Sequence, residues 1–320
     1  MNNFDQLSEY INGQIAQIPY PQQPAGLYRP IAYALESGGK RLRPTLLLAV
    51  MVALGADVAK GTQAAMGIEM FHNFTLLHDD VMDNADVRRG HPTVHRKYGR
   101  DAAILSGDTM LTMATQMMMQ CPDEVLRPIL EVFNTTAIEV YEGQQMDMDF
   151  ENSNDVTVDQ YMEMIRLKTS VLLGCACKCG AILAGAGAEV CDAFYKYGEL
   201  LGLAFQLRDD YLDTYGDPVV FGKQIGGDIV NEKKTWLLIT ALGENRGETL
   251  RAMQIGNVDD QTKIEAVRAV YDALDLDRRI GVLIDDYANK AVEVLAGLDI
   301  DSEWKQMLSK LALDLCRRMN

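Results

Sequence analysis

Apolar residues recur every three to four positions along nearly the whole chain, and no stretch shows a convincing period-2 alternation. An all-α fold is therefore expected. Helical stretches are predicted near 2–18, 25–37, 43–55, 60–86, 101–119, 123–150, 157–187, 189–215, 228–244, 260–274, 279–296 and 301–318. No Pro/Gly/Ser-rich linker, charge block or low-complexity tract divides the 320 residues, so 1–320 reads as one domain.

The pattern breaks where an apolar helix runs into acid. Met66, Met70, Phe74, Leu77 and Val81 keep a helical period, and on that helix Asp79 and Asp83, at i and i+4, share a face while Asp80 lies about 100° round. Two carboxylates one turn apart repel by about 1 to 4 kcal/mol, a cost that a bound divalent cation reverses. All-oxygen ligands with no nearby Cys favour Mg²⁺ over Zn²⁺, and a solvated acidic helix end is the alternative. The same Asp-Asp-x-x-Asp spacing returns at Asp209, Asp210 and Asp213, on a period carried by Leu200, Ala204, Leu207 and Tyr211. Two identical motifs, each at the polar end of an apolar helix, are hard to assign to solvation. Asp285-Asp286 lacks a third Asp and reads as surface.

Cations follow the carboxylates. Ser37-Gly38-Gly39-Lys40-Arg41-Leu42-Arg43-Pro44 frees its backbone with glycine and then presents three cations, which suits phosphate and equally suits a plain helix connection. His72 is either a satisfied core histidine or a phosphate donor. Lys168-Thr169 interrupts the period of Met162, Ile165 and Leu172, either at the surface or pointing into a cavity. Residues 142–155 fail to start a calcium loop, since counting from Asp147 the sixth and twelfth positions are Asn152 and Val158 rather than Gly and Glu; Gln144 and Asp147 would share a helix face instead.

The formal charge of −16 argues against nucleic acid as a partner and makes any anionic substrate depend on a local cationic pocket. The first residues lack the basic and apolar regions of a signal peptide, and no uncharged apolar run reaches the length of a membrane span. A soluble, cytoplasmic protein is expected. Cys121, Cys175, Cys177, Cys179, Cys191 and Cys316 have no neighbouring His to complete a zinc site and read as reduced core residues.

In order, the Gly-Gly-Lys-x-x-Arg-Pro loop, the two Asp-Asp-x-x-Asp motifs, the Arg-Arg-Gly-x-Pro-Thr segment after the first, Lys168-Thr169, Gly222-Lys223-Gln224 and Lys233-Lys234-Thr235 resemble the trans-isoprenyl diphosphate synthases across about residues 30 to 240. The resemblance implies an antiparallel helix bundle around a deep central cavity, a homodimer, and aspartate motifs facing each other across the cavity mouth. It implies an Mg²⁺-dependent head-to-tail condensation of isopentenyl diphosphate with an allylic diphosphate, with three Mg²⁺ per active site. By it Asp79, Asp83 and Asp209 hold Mg²⁺, supported by Asp80, Asp210 and Asp213. Lys40, Arg43, His72 and Arg89 match the isopentenyl diphosphate positions. Arg88, Lys168, Lys223 and Lys233 would cage the allylic diphosphate, and Thr169 and Gln206 would offer dipoles to the allylic cation. Lys223 and Asp228 stand one residue further apart than in some members. Arg317 and Arg318 are candidates to close over the isopentenyl site.

Phe74 lies five residues before Asp79, about 7.5 Å down the helix axis, so a growing tail meets its ring after a few isoprene units. In the resembled family a bulky residue here goes with short products, which predicts fifteen or twenty carbons; a longer-chain synthase is the alternative. A terpene cyclase would be expected to carry an Asn/Ser/Glu-type motif in place of Asp209 to Asp213. A regulatory subunit would be expected to lack the aspartates or arginines. A head-to-head synthase should not need Lys40 and Arg43.

Overall fold

The computed structural model of the chain describes residues 1, 3–153, 155–216, 225–256 and 258–317, the side chains of 315–317 excepted. It falls into two compact units, each drawn from three separate stretches. The first comprises Met1–Asn134, Cys175–Phe194 and Asp299–Trp304; the second comprises Thr135–Gly174, Tyr195–Leu298 and Lys305–Asn320.

In the first unit the chain runs through α1 (Phe4–Ala16), α2 (Ala25–Glu36), α3 (Leu42–Ala53), α4 (Thr62–Met82), α5 (Val94–Tyr98), α6 (Arg100–Met118) and the start of α7 (Asp123–Glu151). The sequence of α3, Leu-Arg-Pro-Thr followed by eight apolar residues, is hydrophobic all round, and α3 is accordingly internal. Its Pro44 sits in the first turn, where no backbone donor is needed. α4 packs against α3 and along α6. The approach of α4 to α6 is close because a β-carbon at Gly107 would fall 2.2 Å from His78 Nε2, while that nitrogen lies 3.1 Å from the Ile104 carbonyl oxygen. The stretch 299–304 closes the unit: Asp301 N donates to Ala53 O at 3.0 Å, and the Trp304 ring meets Phe4 edge-on at 5.7 Å.

The helical period suggests that α4 continues to 86, but it stops at Met82, with Asp83 as C-cap and Asn84 in the left-handed region at φ 53°. Asn tolerates that conformation and ends helices there. A short hairpin follows, β1 (Val87–Arg88) antiparallel to β2 (His91–Pro92), with Arg88 opposite His91. Its two loop residues, Arg89 and Gly90, both have positive φ, the geometry of the type I′ turn that suits a two-residue hairpin. Two residues per strand are too few to register as a period-2 run.

The second unit holds the rest of α7, then α8 (Val158–Ile165), a π-helical turn (Arg166–Ser170), the start of α9 (Val171–Leu183), most of α10 (Ala188–Tyr215), α11 (Gly227–Val230), α12 (Trp236–Met253), α13 (Asp260–Ala273), α14 (Leu276–Ala296) and most of α15 (Ser302–Arg317). Tyr161, Leu207, Leu237, Tyr271 and Ile280 are among its buried core. The expected helix 157–187 is interrupted by the π turn, and 228–244 is broken at Glu232 (φ 55°) before α12 restarts on its cap, Thr235, whose Oγ1 accepts from Leu238 N at 3.3 Å. Glycine lets two helices reach the π turn: a β-carbon at Gly143 would lie 2.3 Å from Lys168 N, and one at Gly202 2.5 Å from Ser170 Cα.

The all-α expectation holds for the described residues apart from the hairpin. Among them, no helix is long and apolar enough to cross a membrane. Cys121, Cys175, Cys177, Cys179 and Cys191 are buried free thiols, and Cys175 and Cys179, 3.9 Å apart at sulfur, are not bonded. The Cys316 side chain lies outside the described residues.

Candidate active site

In the first unit, α4 delivers its aspartates at its C-terminal end. Asp80 turns inward and is 4% exposed, with Arg88 Nε donating to its Oδ1 at 2.7 Å, while Arg88 Nη2 lies 3.5 Å from Asp79 Oδ2. The hairpin thus returns Arg88 onto the motif. Burial raises the Asp80 pKa and Arg88 opposes that rise. Asp83 is exposed at the helix end.

Next to it is a concentration of positive charge. Arg41, left-handed at φ 48°, is buried against Glu69 (2.6 Å), Asn12 Oδ1 (3.0 Å) and the Leu35 carbonyl (2.5 Å), and Glu69 also accepts from Asn73 at 2.9 Å. This network fixes the 38–43 loop. Arg43 Nη1 lies 3.1 Å from His72 Nε2, and Arg43 Nε is buried with no hydrogen-bond partner among the described residues. Arg89 donates to the Gly38 carbonyl, and Gly39 (φ 140°) leaves the space its guanidinium occupies, since a β-carbon there would lie 2.9 Å from it. Burial and then the charges of Arg43, Arg89, Arg88 and Arg41 hold the His72 pKa well below the usual imidazole value, so the ring is neutral. Burial lowers the Arg43 pKa to about 10, with Arg89 adding to the effect and Glu69 opposing it. Unpaired donors and crowded cations are what a multiply charged anion relieves. Lys40 is exposed at the edge of this loop.

In the second unit, α10 places Asp209 outward and Asp210 inward, 3% exposed. Tyr161 OH donates to Asp210 Oδ2, and Gln206 Nε2 donates to Asp210 Oδ1 at 3.1 Å. Thr169 Oγ1, on the π turn, donates to Gln206 Oε1 at 3.1 Å. Asp213 holds the start of α11, its Oδ2 accepting from Asp228 N at 2.8 Å and its carbonyl from Gly226 N at 2.6 Å. Lys168 Nζ donates to Asp147 Oδ2 at 2.6 Å, and Lys233 Nζ lies 4.0 Å from Asp228 Oδ1. Burial pushes Asp210 up to about 6 and Asp228 up to about 7, neighbouring carboxylates adding to the rise and Lys233 opposing it. Burial works to lower the pKa of Lys233, but Asp228, Asp210, Asp147 and Asp209 outweigh it and raise it. This cluster has more carboxylates than cations.

The first unit therefore brings together Arg43, His72, Arg88, Arg89 and the first aspartates, and the second brings together Lys168, Thr169, Gln206, Lys233 and the second aspartates. Lys223 lies outside the described residues, as do Arg318 and the Arg317 side chain. Glu69, Asn73 and Tyr161 do not stand out in the sequence, and Asp228 stands out only by its spacing from Lys223. Glu69 and Asn73 carried a weak signal, two polar residues at i and i+4 inside an apolar helix; Tyr161 carried none, being indistinguishable from core. Among the described residues no three His, Cys, Asp or Glu groups converge into a ready-made metal cluster. The exposed Asp209, beside the surplus negative charge of the second unit, nonetheless fits a hard divalent ion that takes its other ligands from water and phosphate oxygens.

The polyprenyl synthetase family model matches residues 24–274. The geranylgeranyl diphosphate synthase of Methanosarcina mazei is 39% identical over 84% of this chain and 83% of its own length. The geranylfarnesyl diphosphate synthase of Natronomonas pharaonis is 35% identical over 97% and 95%. A geranylgeranyl pyrophosphate synthase crystal structure superposes with a TM-score of 0.94 at 42% identity, covering 99% of both chains. A polyprenyl synthase from Caulobacter crescentus, complexed with calcium and isoprenyl diphosphate, gives 0.87 at 28% identity, covering 100% of this chain and 99% of that one. Motif order, helical architecture and these likenesses agree: the chain belongs to the polyprenyl synthetase family of trans-isoprenyl diphosphate synthases and is a prenyltransferase.

Proposed function

We propose that this chain condenses isopentenyl diphosphate head-to-tail with an allylic diphosphate, using Mg²⁺, to give an all-trans prenyl diphosphate of fifteen or twenty carbons. One observation carries the reading most directly. In a chain of net charge −16, four arginines gather around a neutral His72, and one of them keeps a buried donor without a partner. That is a preorganised anion site beside an aspartate motif.

Lys40, Arg43, His72 and Arg89 hold isopentenyl diphosphate on this reading. Arg88, Lys168, Lys223 and Lys233 hold the allylic diphosphate, with Asp80 anchoring Arg88. Asp79, Asp83 and Asp209 are the ligands of Mg²⁺, three ions per site, with Asp80, Asp210 and Asp213 supporting them. When bound, those ions neutralise the diphosphate leaving group. Thr169 and Gln206 supply dipoles near the allylic cation without a strong nucleophile that would trap it. The proton lost at the end has an acceptor in the departed diphosphate, so no dedicated base is needed. Residues 1–320 act as one catalytic domain, in a cytoplasmic homodimer. The geranylfarnesyl relative supports a second reading for product length, one isoprene unit beyond twenty carbons.

Incubating the purified protein with isopentenyl diphosphate and each allylic starter, with Mg²⁺ or with chelator, and sizing the products tests this directly. Asp79→Ala should lower kcat by orders of magnitude while the far-ultraviolet spectrum stays wild-type. Near-normal turnover in that variant would reject the metal assignment.

A further inference from the structure

The two oxygens of Asp210 each receive a hydrogen bond from within the second unit, from Tyr161 OH and from Gln206 Nε2. An ionised carboxylate only accepts, so Gln206 must turn its NH₂ group toward Asp210 and its carbonyl toward Thr169. Thr169 then spends its one hydrogen on that carbonyl, at 3.1 Å. What remains on Thr169 Oγ1 is lone pairs. Were the amide reversed, Gln206 would donate to Thr169, and the threonine proton would point outward. A hydrogen-bonded chain of this kind has a direction, and here the direction is set at its buried end by Asp210, 3% exposed, and Tyr161, 2% exposed.

We infer that Tyr161 and Asp210 are positioning residues that fix the sense of the Asp210–Gln206–Thr169 chain, so that Thr169 presents an acceptor rather than a proton to the allylic cation. The inference rests on the condensation proposed above and adds to it a reason for the buried second aspartate of the motif. Tyr161 touches no reacting atom; it keeps one carboxylate oxygen occupied so that the other is committed to Gln206. An acceptor facing the cation stabilises charge that exists in the transition state and not in the bound diphosphates, so the effect belongs to kcat rather than to KM.

The test is a cycle of Tyr161→Phe, Thr169→Val and the Tyr161→Phe/Thr169→Val double variant. Steady-state kinetics is paired with calorimetric binding of an unreactive allylic thiodiphosphate in Mg²⁺. Tyr161→Phe should lower kcat about tenfold, the loss expected for one hydrogen bond, with both KM values and analogue binding within about twofold of wild type. The double variant should be no slower than Thr169→Val alone, since residues acting through one chain are non-additive. Asp210→Asn, which can donate and so can reverse the amide, should give the same kcat loss with the Mg²⁺ dependence of analogue binding unchanged, and serves if Tyr161→Phe does not fold. Wild-type kcat in Tyr161→Phe, independent effects in the double variant, or a kcat loss matched by lost analogue binding would each overturn the relay. A wild type that makes no prenyl diphosphate would instead overturn the condensation itself, and the relay with it.

Discussion

A histidine kept neutral among four guanidinium groups has a consequence in acid. The unfolded chain takes up a proton at the ordinary imidazole value of about 6.5, whereas His72 in the folded protein resists protonation until well below it, because burial and then Arg43, Arg89, Arg88 and Arg41 disfavour its charged form. Between those two values the unfolded state binds more protons, so stability falls as pH drops below about 6.5. His72→Gln should flatten the dependence of melting temperature on pH in that window relative to wild type; identical slopes would show that His72 titrates as a free imidazole. Phe74, 6% exposed, packs against Phe71 and His78 with ring centroids 5.6 and 4.8 Å away, and Phe71 is braced in turn by Phe133 at 5.3 Å. Phe74→Ala should lengthen the product by one or two isoprene units, with Phe71 limiting the gain, at a stability cost of about 3 to 5 kcal/mol. Product sizing decides, and an unchanged distribution removes Phe74 as the floor of the chain-length cavity.

Among the elements, the π turn Arg166–Ser170 matters most, since it carries Lys168 and Thr169. π turns tend to appear at functional sites because the extra residue re-aims side chains within an otherwise regular helix. Arg166 braces this one through Glu163 at 2.8 Å and Glu199 at 3.1 Å. Gly202→Ala would drive a methyl group into Ser170 Cα. It should cost about 1 to 3 kcal/mol, as overpacking does, and denaturant unfolding with no loss of midpoint would show that the turn yields freely. The sequence announced the interruption, because Lys168-Thr169 breaks an apolar period, but not its form, because one extra residue per turn leaves no periodic trace. The aspartate helices were legible for the opposite reason: burial writes a 3.6-residue period, and charge at its end stands out against it. Asn84 and the hairpin after it were not, since ending a helix there is one residue's conformational tolerance. The Arg41–Glu69–Asn73 network was hidden by distance, with Arg41 and Glu69 28 residues apart in the chain.

Across the whole molecule, neither unit is a continuous piece of chain, and the first is completed by only six residues near the end, Asp299–Trp304. A protein truncated after Leu298 would lose the Asp301–Ala53 hydrogen bond and the Trp304–Phe4 contact together. Limited proteolysis should then cut within or just before α1 much faster than in the full-length protein, and equal protection would show those six residues to be dispensable. Translation reads the same geometry as a delay. At about 5 to 20 residues per second, some 15 to 60 s separate synthesis of Phe4 from that of its partner Trp304. Over that interval α1 keeps its Phe4 end undocked, because the partner of its first turn has not yet been made.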